Sequence, residues 1–176
     1  MLARARVEKG FGLVELLMAM TMLNIGILAI IAAFNSGIVA LNRAGKASTA
    51  SALADAQMEL YRALTWDQIR LDPASIPSSG VYTTDTAYSA SQVTTPTCTG
   101  LPNECNASRT TTGPDRHSYR IDTYIVTENP TAQSRQLKRV TVVVRDGLNL
   151  SRRALARETS TFDCSTGQPY SSCPTS

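Results

Sequence analysis

From Leu16 to Asn42 the chain runs for 27 residues without a single charge. Nothing else in the sequence constrains its structure as strongly. At about 1.5 Å of rise per residue, such a run makes a helix of about 40 Å, enough to cross a hydrocarbon layer about 30 Å thick with tilt to spare. A secretory signal carries a shorter apolar region, of about 7 to 15 residues, followed by a small-x-small cleavage site, and this run fits neither condition. Arg4, Arg6 and Lys9 against Glu8 give the first ten residues a net charge of +2, which holds the N-terminus in the cytoplasm and places the rest of the chain outside. One carboxylate stands at the edge of the run. At the centre of a membrane helix a group like Glu15 costs about 2.5 to 3.5 kcal/mol, and less near the interface, so its position needs an offsetting partner.

The helical pattern continues beyond the run. Arg43 to Asp67 contains no proline and one glycine, Gly45, while Leu53, Gln57, Leu60 and Leu64 recur at steps of three and four, the spacing of one helix face. Leu53, Leu60 and Leu64, with Tyr61, predict an apolar stripe, leaving Asp55, Glu59 and Arg62 near or on the opposite face. Phe11 to Trp66 then reads as one helix of 56 residues, about 84 Å long and far beyond the usual globular range. A coiled coil or a juxtamembrane signalling helix would also be this long. Ala29, Ala33 and Gly37 share one face of the apolar half, where small residues let another helix approach. Gly26, close to Asn24, weakens the middle of the helix by about 1 kcal/mol relative to alanine.

Composition changes after Leu71. Residues 72–118 are rich in Ser, Thr, Pro, Gly and Asn and read as a long loop with a short strand near Gly80 to Tyr82. Asn106-Ala107-Ser108 fits a glycosylation acceptor, a triplet that arises often by chance. Strand signals follow. Tyr119, Ile121 and Ile125 alternate with Arg120, Asp122 and Tyr124, and Val140, Val142 and Val144 alternate with Arg139, Thr141, Val143 and Arg145, so each reads as a half-buried strand. Asp146-Gly147 marks a turn, and Arg153 to Phe162 is a third strand with poor alternation. An α+β fold results, an antiparallel sheet of three or four strands with one face packed on the helix stripe.

Four cysteines, Cys98, Cys105, Cys164 and Cys173, all fall on the expected external side, where disulfides form and persist. Three pairings are possible; Cys98 with Cys105 and Cys164 with Cys173 each close a short loop and are favoured. Neither spacing is a zinc knuckle, so no metal site is expected. His117 is the one histidine and reads as a surface residue. No nucleophile, phosphate loop or paired carboxylates accompany it, so no enzyme and no cofactor are expected. Arg135, Lys138, Arg139, Arg145, Arg152, Arg153 and Arg157 gather in one region with only Asp146 among them, which makes Arg139, Arg145, Arg153 and Arg157 possible DNA contacts. A solvated sheet face explains them at least as well.

The junction ahead of the apolar run gives a more specific reading. Gly10-Phe11-Gly12-Leu13-Val14-Glu15-Leu16-Leu17-Met18-Ala19-Met20, behind a short basic leader, resembles the class III signal of type IV prepilins and pseudopilins. The resemblance implies cleavage between Gly10 and Phe11 by a membrane prepilin peptidase, methylation of Phe11, and a glutamate at Glu15 that assists assembly by neutralising the free amine of a neighbouring subunit. Gly12 departs from the threonine usual at that position. Asn24-Ile25-Gly26-Ile27-Leu28 also resembles the minor pilins grouped as pilus-modification proteins, and pilin helices often unwind locally in filaments, for which Asn24 to Gly26 is the expected place.

On this resemblance the chain divides into a leader (1–10), a membrane and assembly half of the helix (11–42), its external half (43–70), a variable loop region (71–118), a pilin-like sheet (119–163) and a C-terminal disulfide loop (164–176). The function implied is a structural subunit, a minor pilin, of a type IV pilus or related filament. A type II secretion pseudopilin, a DNA-uptake pilin and a signal-anchored binding protein are the alternatives. The implied partners are the prepilin peptidase, other pilin subunits through the N-terminal helix, and the membrane, with nucleic acid as a lesser candidate. The implied location is a single-pass position in the cytoplasmic membrane with an external C-terminal domain, followed by a cell-surface filament. Removing residues 1–10 takes away three cations and Glu8, leaving 14 basic and 13 acidic residues. The mature chain is therefore close to neutral.

Overall fold

A computed structural model describes residues 12–78, 80–95, 103–128, 136–151 and 153–164. Within them the fold is α+β: one helix, α1 (Leu13–Arg62), and four strands, β1 (Ser108–Thr112), β2 (Ser118–Glu128), β3 (Leu137–Asp146) and β4 (Ala156–Asp163). The strands form one antiparallel sheet in the order β1-β2-β3-β4. The chain separates into two compact units, Met1–Ala44 and Gly45–Ser176.

In the first unit every described residue from Leu13 onward is helical, and the helix passes through Asn24 and Gly26 without interruption. In the second, the helix stops at Arg62, short of the expected Trp66. The Ala63 amide is shared between the Glu59 and Leu60 carbonyls at 3.2 Å, and the Leu64 amide reaches back only to Tyr61. This tightening is typical of a helix end. A short 3-10 turn, Trp66–Gln68, follows, with the Gln68 side chain accepting the Thr65 amide at 3.1 Å.

The face that α1 turns to the sheet differs from the predicted stripe. Ala50, Ala54, Gln57, Met58 and Tyr61 are buried, whereas Leu53 and Leu64 lie at the margin of the core and Leu60 is half-buried. Periodicity located the helix but misjudged its rotation, because leucine outweighs alanine in any hydrophobic pattern. Ala50 and Ala54 bring the helix backbone close to Ile121, Ile125, Val140, Val142 and Val144 of the central strands, which supply the bulk of the core. Met58 adds about 1.5 to 3 kcal/mol through its complete burial.

Register explains which residues meet α1. Tyr119 pairs with Asp146, Ile121 with Val144, Thr123 with Val142 and Ile125 with Val140, and side chains alternate across a strand, so this set shares the helix-facing side. The opposite face was expected to meet solvent. Instead, β2 and β3 are buried on both sides along most of their length. Residues 80–94 cover this face. Tyr82, fully buried, stacks on Tyr124 with ring centroids 4.4 Å apart. Its hydroxyl donates to the Thr123 carbonyl at 2.7 Å, and Tyr124 returns a hydrogen bond to the Tyr82 carbonyl at 3.1 Å.

The sequence therefore misplaced two parts of the 71–118 segment. The region of Gly80 to Tyr82 is a turn rather than a strand, with Gly80 at φ +86°, and β1 was read as loop because Ser108–Thr112 has no apolar alternation. Beyond β1 the edge of β2 is not left open. The Thr123 amide donates to Ala107, the Ile125 amide to the Gln92 side chain, and the Val93 amide to the Ile125 carbonyl, all at 2.8 Å. Backbone groups in a buried strand are accordingly satisfied.

Candidate functional site

The membrane-type segment is the most distinctive surface. Its large apolar side chains from Leu13 to Leu41 are between 46 % and 80 % exposed, and an 18-residue window of mean hydropathy 2.3 has no buried share at all. A water-exposed surface of that extent is unstable for a soluble chain. The helix is long and apolar enough to cross a membrane. Ile30, Ala33, Phe34, Gly37, Ile38 and Leu41 line a shallow apolar groove along it, so two of the three small residues picked out by spacing, Ala33 and Gly37, do lie together where a second helix could approach.

Glu15 occupies the first helical turn. Its amide and that of Leu16 both donate to the Gly12 carbonyl, at 2.9 and 3.2 Å, which starts the helix two residues ahead of the carboxylate. A negative group here meets the positive end of the helix dipole, a gain of about 0.3 to 1 kcal/mol. That is too little to cancel the cost of a carboxylate deep in hydrocarbon. Gly10 and Phe11, the expected cleavage and methylation positions, lie outside the described residues.

The arginines considered for DNA have other occupations. Arg145, whose side chain is 8 % exposed, makes an ion pair with Asp85 and lies 3.6 Å from Asp122. Arg157 reaches both carboxylate oxygens of Asp85 at 2.8 Å, and Arg139 pairs with Glu128 at 3.1 Å. Asp122, fully buried, also accepts hydrogen bonds from Arg120 at 2.8 Å and Ser108 at 2.7 Å. These are charge-assisted bonds of the stronger class. The cluster is thus mainly a buried electrostatic clamp that fastens the 80–94 segment to β2, β3 and β4. Arg153 alone of the four is exposed without an ion pair among the described residues, and it lines a polar cleft with Thr84, Thr86 and Ser151.

His117 is not the surface residue the sequence suggested. Its side chain is 17 % exposed, its Nε2 lies 3.0 Å from Asp146, and its ring meets Tyr119 edge-on at 5.2 Å. Burial raises the Asp146 carboxyl, but the Leu148 amide, His117 and Lys46 outweigh it and hold the group below the usual carboxylate range. Lys138 is another buried cation that composition concealed. Its ammonium donates to the Trp66 carbonyl at 2.6 Å and sits 4.5 Å from the centre of the Trp66 ring, a cation–π contact. Burial lowers its pKa to about 8, against an opposing pull from Asp67 and with a further push from Arg70. No sequence signal marked this pair, because Lys138 stands in the polar register of a strand.

Cys105 and Cys164 are buried, and neither is a free thiol. Cys98 and Cys173, their expected partners, lie outside the described residues. Among the described residues no group of three or more His, Cys, Asp or Glu side chains could hold a metal ion. Comparison with protein-family models, curated proteins and solved structures found no match.

Proposed function

We propose that this chain is a minor structural subunit of a type IV pilus or a related filament, matured by a prepilin peptidase. Cleavage after Gly10 frees the Phe11 amine, which is then methylated. The apolar helix holds the subunit in the cytoplasmic membrane and later packs against the helices of its neighbours, while Glu15 pairs with the Phe11 amine of the next subunit. The observation that carries this reading is an isolated carboxylate in the first turn of a helix whose large apolar side chains from Leu13 to Leu41 are exposed. Helix dipole alone does not offset it, whereas an amine a few ångströms away in low dielectric does. Disulfides between Cys98 and Cys105 and between Cys164 and Cys173 would close the loops at either side of the sheet.

Mass spectrometry of the protein extracted from membranes tests the maturation step. The expected N-terminal residue is methylated Phe11; an N-terminus at Met1 or Leu2 would overturn the proposal in favour of a signal-anchored binding protein. Glu15→Ala should keep its level in the membrane yet disappear from sheared filaments. Labelling the protein along isolated filaments separates a pilus subunit from a secretion pseudopilin.

A further inference from the structure

The connection between β3 and β4 carries an unexplained side chain. Outside the apolar helix, Leu148 is the only large hydrophobic residue among the described ones that is strongly exposed, at 80 %. It sits at the tip of the β3–β4 turn, immediately after Asp146-Gly147. That turn is firmly built. The Gly147 amide donates to the Ser118 carbonyl at 2.8 Å, and the Asp146 carboxylate accepts the Leu148 amide at 3.0 Å. Leu148 is therefore presented rather than merely loose.

Its place in the second unit is fixed by the start of that unit's helical part. Asp146 pairs with Lys46 at 3.4 Å, and a side chain on Gly113, in the neighbouring β1–β2 turn, would run into Thr49. Both turns thus lie beside the first helical residues of the unit. Lys46 follows Asn42, the last residue of the uncharged run, by four positions in the sequence, a reach of at most about 14 Å of chain. The charges at this end are mainly positive. Lys46, Arg116 and Arg153 stand against Asp115 and Asp146 in these turns and beside them, and Asp115 and Asp146 are already engaged by Tyr119 and by Lys46 with His117. Arg116 and Arg153 are both exposed and have no ion pair among the described residues.

We propose that this end of the second unit is a membrane-contact surface: Leu148 enters the headgroup region of the bilayer that holds the apolar helix, and Arg116 and Arg153 meet anionic lipid phosphates. An apolar side chain with exposed arginines in its own connection and in the neighbouring turn matches a surface that is apolar within and anionic at its rim. Covalent tethering supplies the high effective concentration that lets a single leucine and a few charges hold an orientation. The contact sets how the external unit stands on the bilayer before it leaves for a filament. It rests on the membrane-spanning role proposed above for the uncharged run.

The test uses the full chain reconstituted into vesicles of phosphatidylglycerol and phosphatidylcholine, a part of them carrying brominated acyl chains. The variant Leu148→Trp adds an emitter at the tip, while Trp66, 7 % exposed, supplies the background measured in the native protein. The added emission should be blue-shifted and quenched by brominated lipid in phosphatidylglycerol vesicles. Both effects should weaken at about 1 M salt, where the screening length is about 3 Å, and in the further variant Arg116→Glu/Arg153→Glu. Emission typical of water and no quenching, in protein that has entered the vesicles, overturns the membrane contact alone. Failure to enter the vesicles at all defeats the membrane-spanning role instead. A blue shift that appears only as protein concentration in the vesicles rises, without lipid quenching, assigns Leu148 to a neighbouring subunit and also overturns the proposal.

Discussion

Asp85 is the residue on which the second face of the sheet depends, and replacing it has a calculable effect. Its carboxylate, 2 % exposed, takes Arg145 and Arg157 together and accepts the Ala87 amide at 2.8 Å. Asp85→Ala would leave Arg145, itself 8 % exposed, with only Asp122 at 3.6 Å. Breaking a buried pair costs about 3 to 5 kcal/mol, whereas the partly exposed Arg157 contact is worth at most about 1 kcal/mol. Asp122 relieves part of the remaining charge, so we expect a loss of about 3 kcal/mol, at the lower end of the range for a broken buried pair. With a urea slope of about 1 to 3 kcal/mol per molar, the unfolding midpoint should fall by 1 M or more. Trp66, the one tryptophan in the chain and close to β3 through Lys138, reports the transition in detergent-solubilised full-length protein. The double variant Asp85→Ala/Arg145→Met removes the stranded charge and should recover most of the loss, because a buried pair replaced by apolar groups is often close to neutral. A cost below about 1 kcal/mol for Asp85→Ala, the level of an exposed pair, would refute the clamp, as would a double variant no more stable than the single.

Two further outcomes follow from the core. Burial pushes Tyr61 and Tyr119 up to about 12, and raises Tyr82 and Tyr124 as well. The stability this confers is complete below the unfolded tyrosine value of about 10 and is lost as pH rises through 12. Lys138 acts in the opposite sense: with its folded value lowered to about 8, the unfolded state binds more protons between about pH 8 and 10.5, so stability should rise there. Denaturation curves from pH 7 to 12 should show a maximum near pH 9 to 10, and Lys138→Met should remove the rising limb only. Gly147→Ala should destabilise by about 1 to 3 kcal/mol, since an added Cβ would lie 2.9 Å from the Ser118 backbone; a thermal midpoint equal to the native one would show that the turn can open without cost.

The long helix, its membrane-type half and the two central strands were legible because each rests on local chemistry. An uncharged run, a three-and-four spacing and alternating valines retain their meaning whatever surrounds them. Rotation of the helix was not legible. Which of Leu53, Ala54, Gln57 and Leu60 turns inward depends on the sheet it meets, and the sheet accepts alanines because its own Ile and Val side chains already fill the space. Gln57 shows the same dependence. It is buried only because Asn103 and Arg109, 46 and 52 residues away, satisfy its amide.

The sequence by itself determined that this chain has an apolar helix able to span a bilayer, a carboxylate at its threshold and an antiparallel sheet beyond. Tertiary structure alone decided that the sheet is covered on both faces, that Arg145, Asp85 and Asp122 face each other inside rather than meeting solvent, and that Leu148 stands exposed in the turn where Asp146 meets Lys46. Charges read along a chain look solvated, because burial and pairing are created only when distant segments, here residues 80–94 and strands β2 to β4, close over one another.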